Sequence, residues 1–158
     1  MGTRNLTKVI DRNGEIKVAQ YGQWDGYPSG QGVNALLHAY NHKQIEKGLD
    51  KVRWATQEQL DAINNDLSNW TTDFNFSEMY PTLSRDTCAD ILGYVAWSLG
   101  EVLLVDNSEF ENDDLFCEGV YTIDFQQGKF ISNYGGKVIE FDLKTLPTPE
   151  EYLNAWKE

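Results

Sequence analysis

The Asn13-Gly14 pair stands between two β-compatible runs, Leu6–Ile10 and Glu15–Tyr21, and supplies the residues a tight primed turn prefers. Pairing outward from that turn sets Val9 opposite Val18 on one face, beside Ile16. Leu6, Ile10, Ala19 and Tyr21 fall on the other face. A half-exposed hairpin keeps one face polar, so apolar residues on both faces require other elements to cover both sides. That requirement points to a layered domain.

The rest of the chain supplies the covering elements. Val33, Leu36, Leu37 and Tyr40 have the i, i+3, i+4, i+7 spacing of one buried helical stripe. Thr56-Gln57-Glu58-Gln59 has the capping-box pattern, and Leu60, Ile63 and Leu67 follow on one face of a second helix. Pro81 and Ser84 precede a third helix, in which Cys88, Ile91, Leu92, Val95 and Leu99 form the longest apolar stripe in the chain and are expected to run through the core. The period then changes. Val102–Val105 reads as a short buried strand; Gly119–Phe125, Lys129–Ser132 and Lys137–Leu143 read as three more, with turns at Gln126-Gln127-Gly128 and Tyr134-Gly135-Gly136. Thr148-Pro149-Glu150-Glu151 starts a short terminal helix carrying Tyr152, Leu153 and Trp156. Strands and helices segregated in this way predict a single α+β domain over residues 1–158: an N-terminal β-hairpin, central helices, C-terminal antiparallel strands and a short terminal helix.

At 158 residues with 41% apolar side chains the chain can bury a sizeable core without disulfides or metals. No apolar run approaches the ~20 residues of a membrane span, since Ser98, Gly100 and Glu101 break the longest one, Ile91 to Val105. The N-terminus has no charged-then-apolar signal pattern. Two cysteines, Cys88 and Cys117, are too few for a disulfide framework. The expectation is a soluble, cytoplasmic protein with no membrane contact and no cofactor.

The net charge of −12 is unevenly spread. Residues 1–79 carry eight Lys or Arg against ten Asp or Glu, whereas residues 80–158 carry five against fifteen. Glu101–Glu118 holds seven acids (Glu101, Asp106, Glu109, Glu111, Asp113, Asp114, Glu118) and no basic residue. Phosphate backbones are bound by Lys and Arg, so direct nucleic-acid binding is not expected from this half of the chain, and a basic protein surface would be steered toward it. A solvated acidic loop that aids solubility has the same composition. Asp106-Asn107-Ser108-Glu109-Phe110-Glu111 lacks the glycine of an EF-hand loop at its sixth position.

Tyr21-Gly22-Gln23-Trp24-Asp25-Gly26-Tyr27-Pro28-Ser29-Gly30-Gln31-Gly32 follows a strand and opens a helix, with four glycines within eleven residues. Glycines let backbone approach a ligand, and a helix N-terminus presents N–H groups to an anion. Tyr21, Trp24 and Tyr27 are suited to stacking on a ring, and Gln23 and Asp25 to reading hydroxyls or amides, with Ser29 in the turn and Arg4 as an anion partner. The spacing is neither the Walker pattern, the dinucleotide fingerprint nor the nucleophile elbow. A compact loop packed by its own aromatics is the other reading.

Gly2-Thr3-Arg4-Asn5-Leu6-Thr7, the hairpin, and Gln20 through Gly32 resemble a family of small phage, prophage and bacterial proteins that share a G-T-R-x-L-T opening and a Q-[WF]-D-G-Y-P-S-G-x-G loop. Glu118–Leu146, with Val120-Tyr121-Thr122-Ile123-Asp124, and the following Leu146-Pro147-Thr148 are similar as well. The resemblance covers a third to a half of the chain. It implies a phage or mobile-element setting and carries no catalytic role.

His38 and His42 are expected four apart on one helix, half of a metal site, with no further ligands at short spacing, so no metal is expected. Cys88 belongs to an apolar face, and the acids around Cys117 should raise its pKa. An N-terminal nucleophile hydrolase needs a free terminal Cys, Ser or Thr, which Met1-Gly2 does not offer. The leading expectation is therefore a non-enzymatic, phage-encoded protein that engages a basic host-protein surface through Asp106, Glu109, Phe110, Glu111, Asp113, Asp114 and Glu118, with Phe110 and Leu115 as apolar anchors. Its sharpest form is a nucleic-acid mimic that blocks a defence nuclease, as anti-CRISPR proteins do. A nucleotide- or sugar-phosphate-binding or enzymatic domain built on Gly22–Gly32 is the alternative, and a virion accessory is a third.

Overall fold

The computed structural model describes residues 2–68, 80–113 and 115–157. Strands β1 (Asn5–Ile10) and β2 (Ile16–Gly22) form the N-terminal hairpin. Val9 pairs with Val18 as the sequence predicts, but the register shifts between Val9 and Ile10, so that Ile10 pairs with Ile16. The extra residue, Lys17, makes a bulge that turns Ile16 onto the face of Leu6 and Ala19 rather than that of Val9. The turn is not a primed one. Only Gly14 takes a positive φ (+85°), and Asp11 holds the corner by accepting from the N–H groups of Asn13 and Glu15, each at 2.9 Å.

Strands β3 (Val52–Trp54) and β4 (Val102–Leu104) pair in parallel as a separate two-stranded sheet. Strands β5 (Gly119–Asp124), β6 (Lys129–Tyr134) and β7 (Lys137–Asp142) form the C-terminal meander. Gly135 and Gly136 both take positive φ in the β6–β7 turn, the geometry of a two-residue primed turn. The main sheet runs β2-β1-β5-β6-β7. The antiparallel expectation holds for the hairpin and the meander, and the two are joined by a parallel β1–β5 ladder.

Helices α1 (Val33–Ala39), α2 (His42–Gly48), α3 (Gln57–Ser68), α4 (Ile91–Trp97) and α5 (Pro149–Trp156) complete the α+β domain. The main core lies between one face of the sheet and the helices. Val9, Val18, Tyr121, Ile123 and Phe130 meet Leu36, Ile45, Ile91, Leu92, Val95 and Tyr152 there. α1 buries Ala35, Leu36 and Ala39, whereas Leu37 and Tyr40, expected on that stripe, are exposed. The predicted long helix through Cys88 is broken. Cys88 takes φ +50°, a left-handed conformation no helix continues through. Two short 3₁₀ turns, Pro81–Leu83 and Cys88–Asp90, therefore precede α4, and Leu99 lies beyond its end, fully exposed. The predicted helix start at Thr148 is closed by a capping box, with Thr148 and Glu151 joined through mutual bonds of 3.1 and 3.0 Å.

The second face of the sheet carries a smaller cluster, Leu6, Ala19 and Val120, with Ile16, Phe110 and Cys117 packed on it. What covers it is the acidic segment.

Candidate functional site

After β4 the chain crosses the hairpin and docks by four kinds of contact. The Asn107 N–H donates to the Ala19 carbonyl at 3.0 Å, and its side-chain oxygen accepts from the Tyr21 N–H at 3.3 Å. The free edge of β2 is thus covered. Phe110, in the 3₁₀ turn Ser108–Asn112, meets the Tyr21 ring edge-on, with centroids 4.9 Å apart. Both oxygens of Glu111 accept from the Lys8 ammonium, at 2.9 and 2.8 Å, and Lys8 is otherwise buried in the sheet face. Glu118 accepts from the Arg4 N–H at 3.0 Å, and the Glu118 N–H donates back to the Arg4 carbonyl at 3.1 Å.

Between these anchors the segment turns outward. The Asp113 carboxylate accepts from the N–H groups of Leu115 and Phe116 at 3.2 and 3.1 Å, and the Asp113 carbonyl from the Cys117 N–H at 2.9 Å. This holds Leu115 77% and Phe116 46% exposed. The Arg4 guanidinium lies over the Phe116 ring at 4.9 Å. Asp106 and Glu109 stand exposed, Asp106 accepting from the Ser108 N–H at 2.9 Å. Asp114 lies outside the described residues. Beside the crest, a groove of about 480 Å³ is lined by Glu111, Cys117, Glu118, Val120, Asn133, Tyr134, Gly135 and Gly136. The acids predicted as a partner surface are thus brought together, with different duties. Glu111 and Glu118 fasten the segment, Asp113 shapes it, and Asp106 and Glu109 face solvent. Phe110 is spent on Tyr21. The apolar anchor missed in the sequence is Phe116, for which the only signal is its place next to Leu115 between acids.

Burial first, then the carboxylates of Glu111, Asp113 and Glu118, push the Cys117 thiol up to about 11, partly offset by Lys8. The sequence named only the acids as the cause. A rise from 9.0 to about 11 leaves about a hundredfold less thiolate at neutral pH. Cys117 should therefore react with iodoacetamide at pH 7.5 about two orders of magnitude more slowly than an unperturbed thiol, as followed by mass spectrometry. A rate near that of free cysteine would contradict the packed position of the segment.

The Gly22–Gly32 loop is closed by the protein's own atoms. A Cβ on Gly26 would stand 2.6 Å from the Thr3 carbonyl oxygen, on Gly30 2.3 Å from that of Asp25, and on Gly32 2.6 Å from the Tyr152 hydroxyl. The Tyr121 hydroxyl donates to Gly26 O at 2.5 Å, and Asn5 Nδ2 donates to the carbonyls of Gly22 and Trp24 at 3.3 and 3.1 Å. The polar heads have partners as well. Trp24 Nε1 donates to Asp86 at 2.7 Å, the Tyr27 hydroxyl to Asp25 at 3.1 Å, and the Tyr21 hydroxyl to Gln23. Ser29 is exposed, and Arg4, expected beside this loop, directs its side chain to Phe116 instead. The glycines here serve close approach of chain to chain.

His38 and His42 fall on separate helices. His38 Nε2 lies 3.0 Å from Asp90, while His42 lines a cavity with Arg12, Lys43, Glu46 and Leu143, where burial and Lys43 lower its pKa. Among the described residues no group of three or more His, Cys, Asp or Glu side chains is placed to hold a metal ion, and no helix is long and apolar enough to cross a membrane. No family model, curated protein or solved structure matches the chain.

Proposed function

We propose that this chain is a protein-binding factor whose docking surface is the segment 106–118, and that its partner presents a basic surface. The observation that carries this reading is the Leu115–Phe116 pair, held out in solvent at the crest of an acid-rich segment that is itself fastened to the sheet. A merely solvating loop needs neither exposed large apolar side chains nor a rigid support. A docking surface uses both: apolar anchors supply the centre of an interface, a charged rim supplies steering, and prior ordering reduces the entropy lost on binding. The acid-lined groove beside the crest suits a cationic side chain of the partner.

In finer form the partner is a nucleic-acid-binding nuclease. Such an enzyme binds phosphate backbones through a basic face, to which an acidic protein is attracted, and in the phage setting the sequence resemblance implies, it would be a host defence enzyme. The test is binding of the purified chain to a panel of bacterial nucleases at rising salt, with and without competitor duplex DNA. Binding that weakens with salt and is displaced by DNA is expected. Absence of binding across the panel at about 50 mM salt, where screening is weak, would remove the nuclease reading. Binding insensitive to both salt and DNA would remove the electrostatic one.

A further inference from the structure

A second surface has aromatic walls and a carboxylate, and it lies away from the acidic segment. Tyr94 and Trp97 are three apart on α4 and so share one helix face, while Ile91, Leu92 and Val95 of the same helix are in the core. The two rings are 42% and 60% exposed, and with His38, Asp90, Gly93 and Ser98 they line an open cavity of about 470 Å³. The floor is built around His38. A Cβ on Gly93 would stand 3.1 Å from the imidazole Cε1, so a helix-interior glycine, ordinarily a destabilising choice, is what lets the ring approach the helix. Asp90 fixes that ring. Its Oδ1 accepts from Asn34 Nδ2 at 2.9 Å and faces His38 Nε2 at 3.0 Å, which requires Nε2 to carry the proton. Asp90 Oδ2 has no protein partner among the described residues.

We propose that this cavity receives one arginine side chain of the protein partner, with its guanidinium stacked on Trp97 and Tyr94 and paired with Asp90 Oδ2; this deepens the protein-docking reading and rests on it. Asp90 supplies the carboxylate of the lining, and its unpartnered oxygen disfavours an anion. An uncharged apolar group would desolvate that carboxylate without pairing it. A guanidinium satisfies both features, because its plane stacks on aromatic faces while its N–H fork meets a carboxylate; an ammonium matches only the charge. Lys51 donates to the Ser98 carbonyl and is not itself a lining residue.

The probe is N-acetyl-arginine amide, titrated into the full chain while the Trp97 indole N–H is followed by NMR, with N-acetyl-lysine amide as the comparison. A saturable shift with the arginine amide is expected, at least about fivefold tighter than with the lysine amide. It should weaken about fivefold or more in Asp90→Asn and in Tyr94→Ala, both of which keep the Trp97 indole as the probe. An unmoved Trp97 signal, equal response to lysine, or full binding in Asp90→Asn would each overturn the proposal. The double variant Leu115→Ser/Phe116→Ser separates the two surfaces. Loss of protein binding with an intact arginine response leaves this cavity standing, whereas loss of that response in a folded double variant shows that the cavity is not an independent site and overturns it.

Discussion

Replacing Gly48 by alanine should destabilise the fold more than any other single-methyl change in the helical layer. Gly48 ends α2 where that helix crosses α4, and a Cβ there would stand 1.9 Å from the Val95 carbonyl oxygen. Ordinary contact begins at 3.4 Å. The obstacle is backbone, and Val95 itself is fully buried, so neither helix can yield without opening the core formed by Ile45, Leu92 and Val95. Overpacking of this kind costs about 3 kcal/mol, which for a chain of this size lowers Tm by roughly 6–12 °C. Gly100→Ala is the control, because nothing lies within 4 Å of its Cβ position. Thermal denaturation of the two variants decides the matter: a Gly48→Ala protein melting with Gly100→Ala would show that α2 and α4 do not meet at this glycine.

The second large effect is expected at Glu111. The Lys8 side chain is 10% exposed and that of Glu111 41%, so the ammonium is nearly enclosed while its partner is half in water. Glu111→Ala leaves a buried cation unpaired. Such losses reach 3–5 kcal/mol when both partners are buried, and the exposure of Glu111 reduces the figure here to about 1–3 kcal/mol. The same change should free residues 108–113 from the sheet, seen as faster amide exchange of Asn107 and Phe110. Lys8→Met with Glu111→Leu should recover most of the stability, because Lys8 is buried directly opposite Ala19 in the β1–β2 ladder and an apolar pair removes the desolvated charge altogether. If Glu111→Ala melts like the parent and keeps its exchange pattern, the segment is not fastened as described.

The sequence made some of this legible and hid the rest for identifiable reasons. Alternation set Val9 opposite Val18, and the Thr56 and Thr148 caps announced their helices, because these are local patterns that local bonds satisfy. The parallel β1–β5 ladder joins residues more than a hundred positions apart and leaves no local mark. β3 is three residues long, too short to show a period. Apolar spacing predicts one helix through Cys88 because it continues on both sides of a residue whose left-handed φ breaks the backbone, and side-chain patterning does not report φ. In the acidic segment, charge is readable and direction is not. Phe110 and Phe116 look alike among acids, and only the position of Tyr21 decides that one ring is buried against the sheet while the other is presented. The composition of the glycine-aromatic loop fits both a ligand site and a self-packed turn. The contacts of Gly26, Gly30 and Gly32 favour packing, since the space a ligand would need beside them holds Thr3, Asp25 and Tyr152.

The central question is whether the Leu115–Phe116 crest is a contact surface. The most direct measurement compares the affinity of the parent chain and of Leu115→Ser/Phe116→Ser for a basic nuclease that the parent binds, at about 50 and 200 mM salt, with circular dichroism confirming an unchanged fold. Truncating two central apolar anchors should cost about 2 kcal/mol or more, a thirtyfold loss, at both salt concentrations, with the electrostatic share falling equally in both proteins as salt rises. Equal affinity of the double variant and the parent would contradict the account and return the segment to the role of a solvated acidic loop.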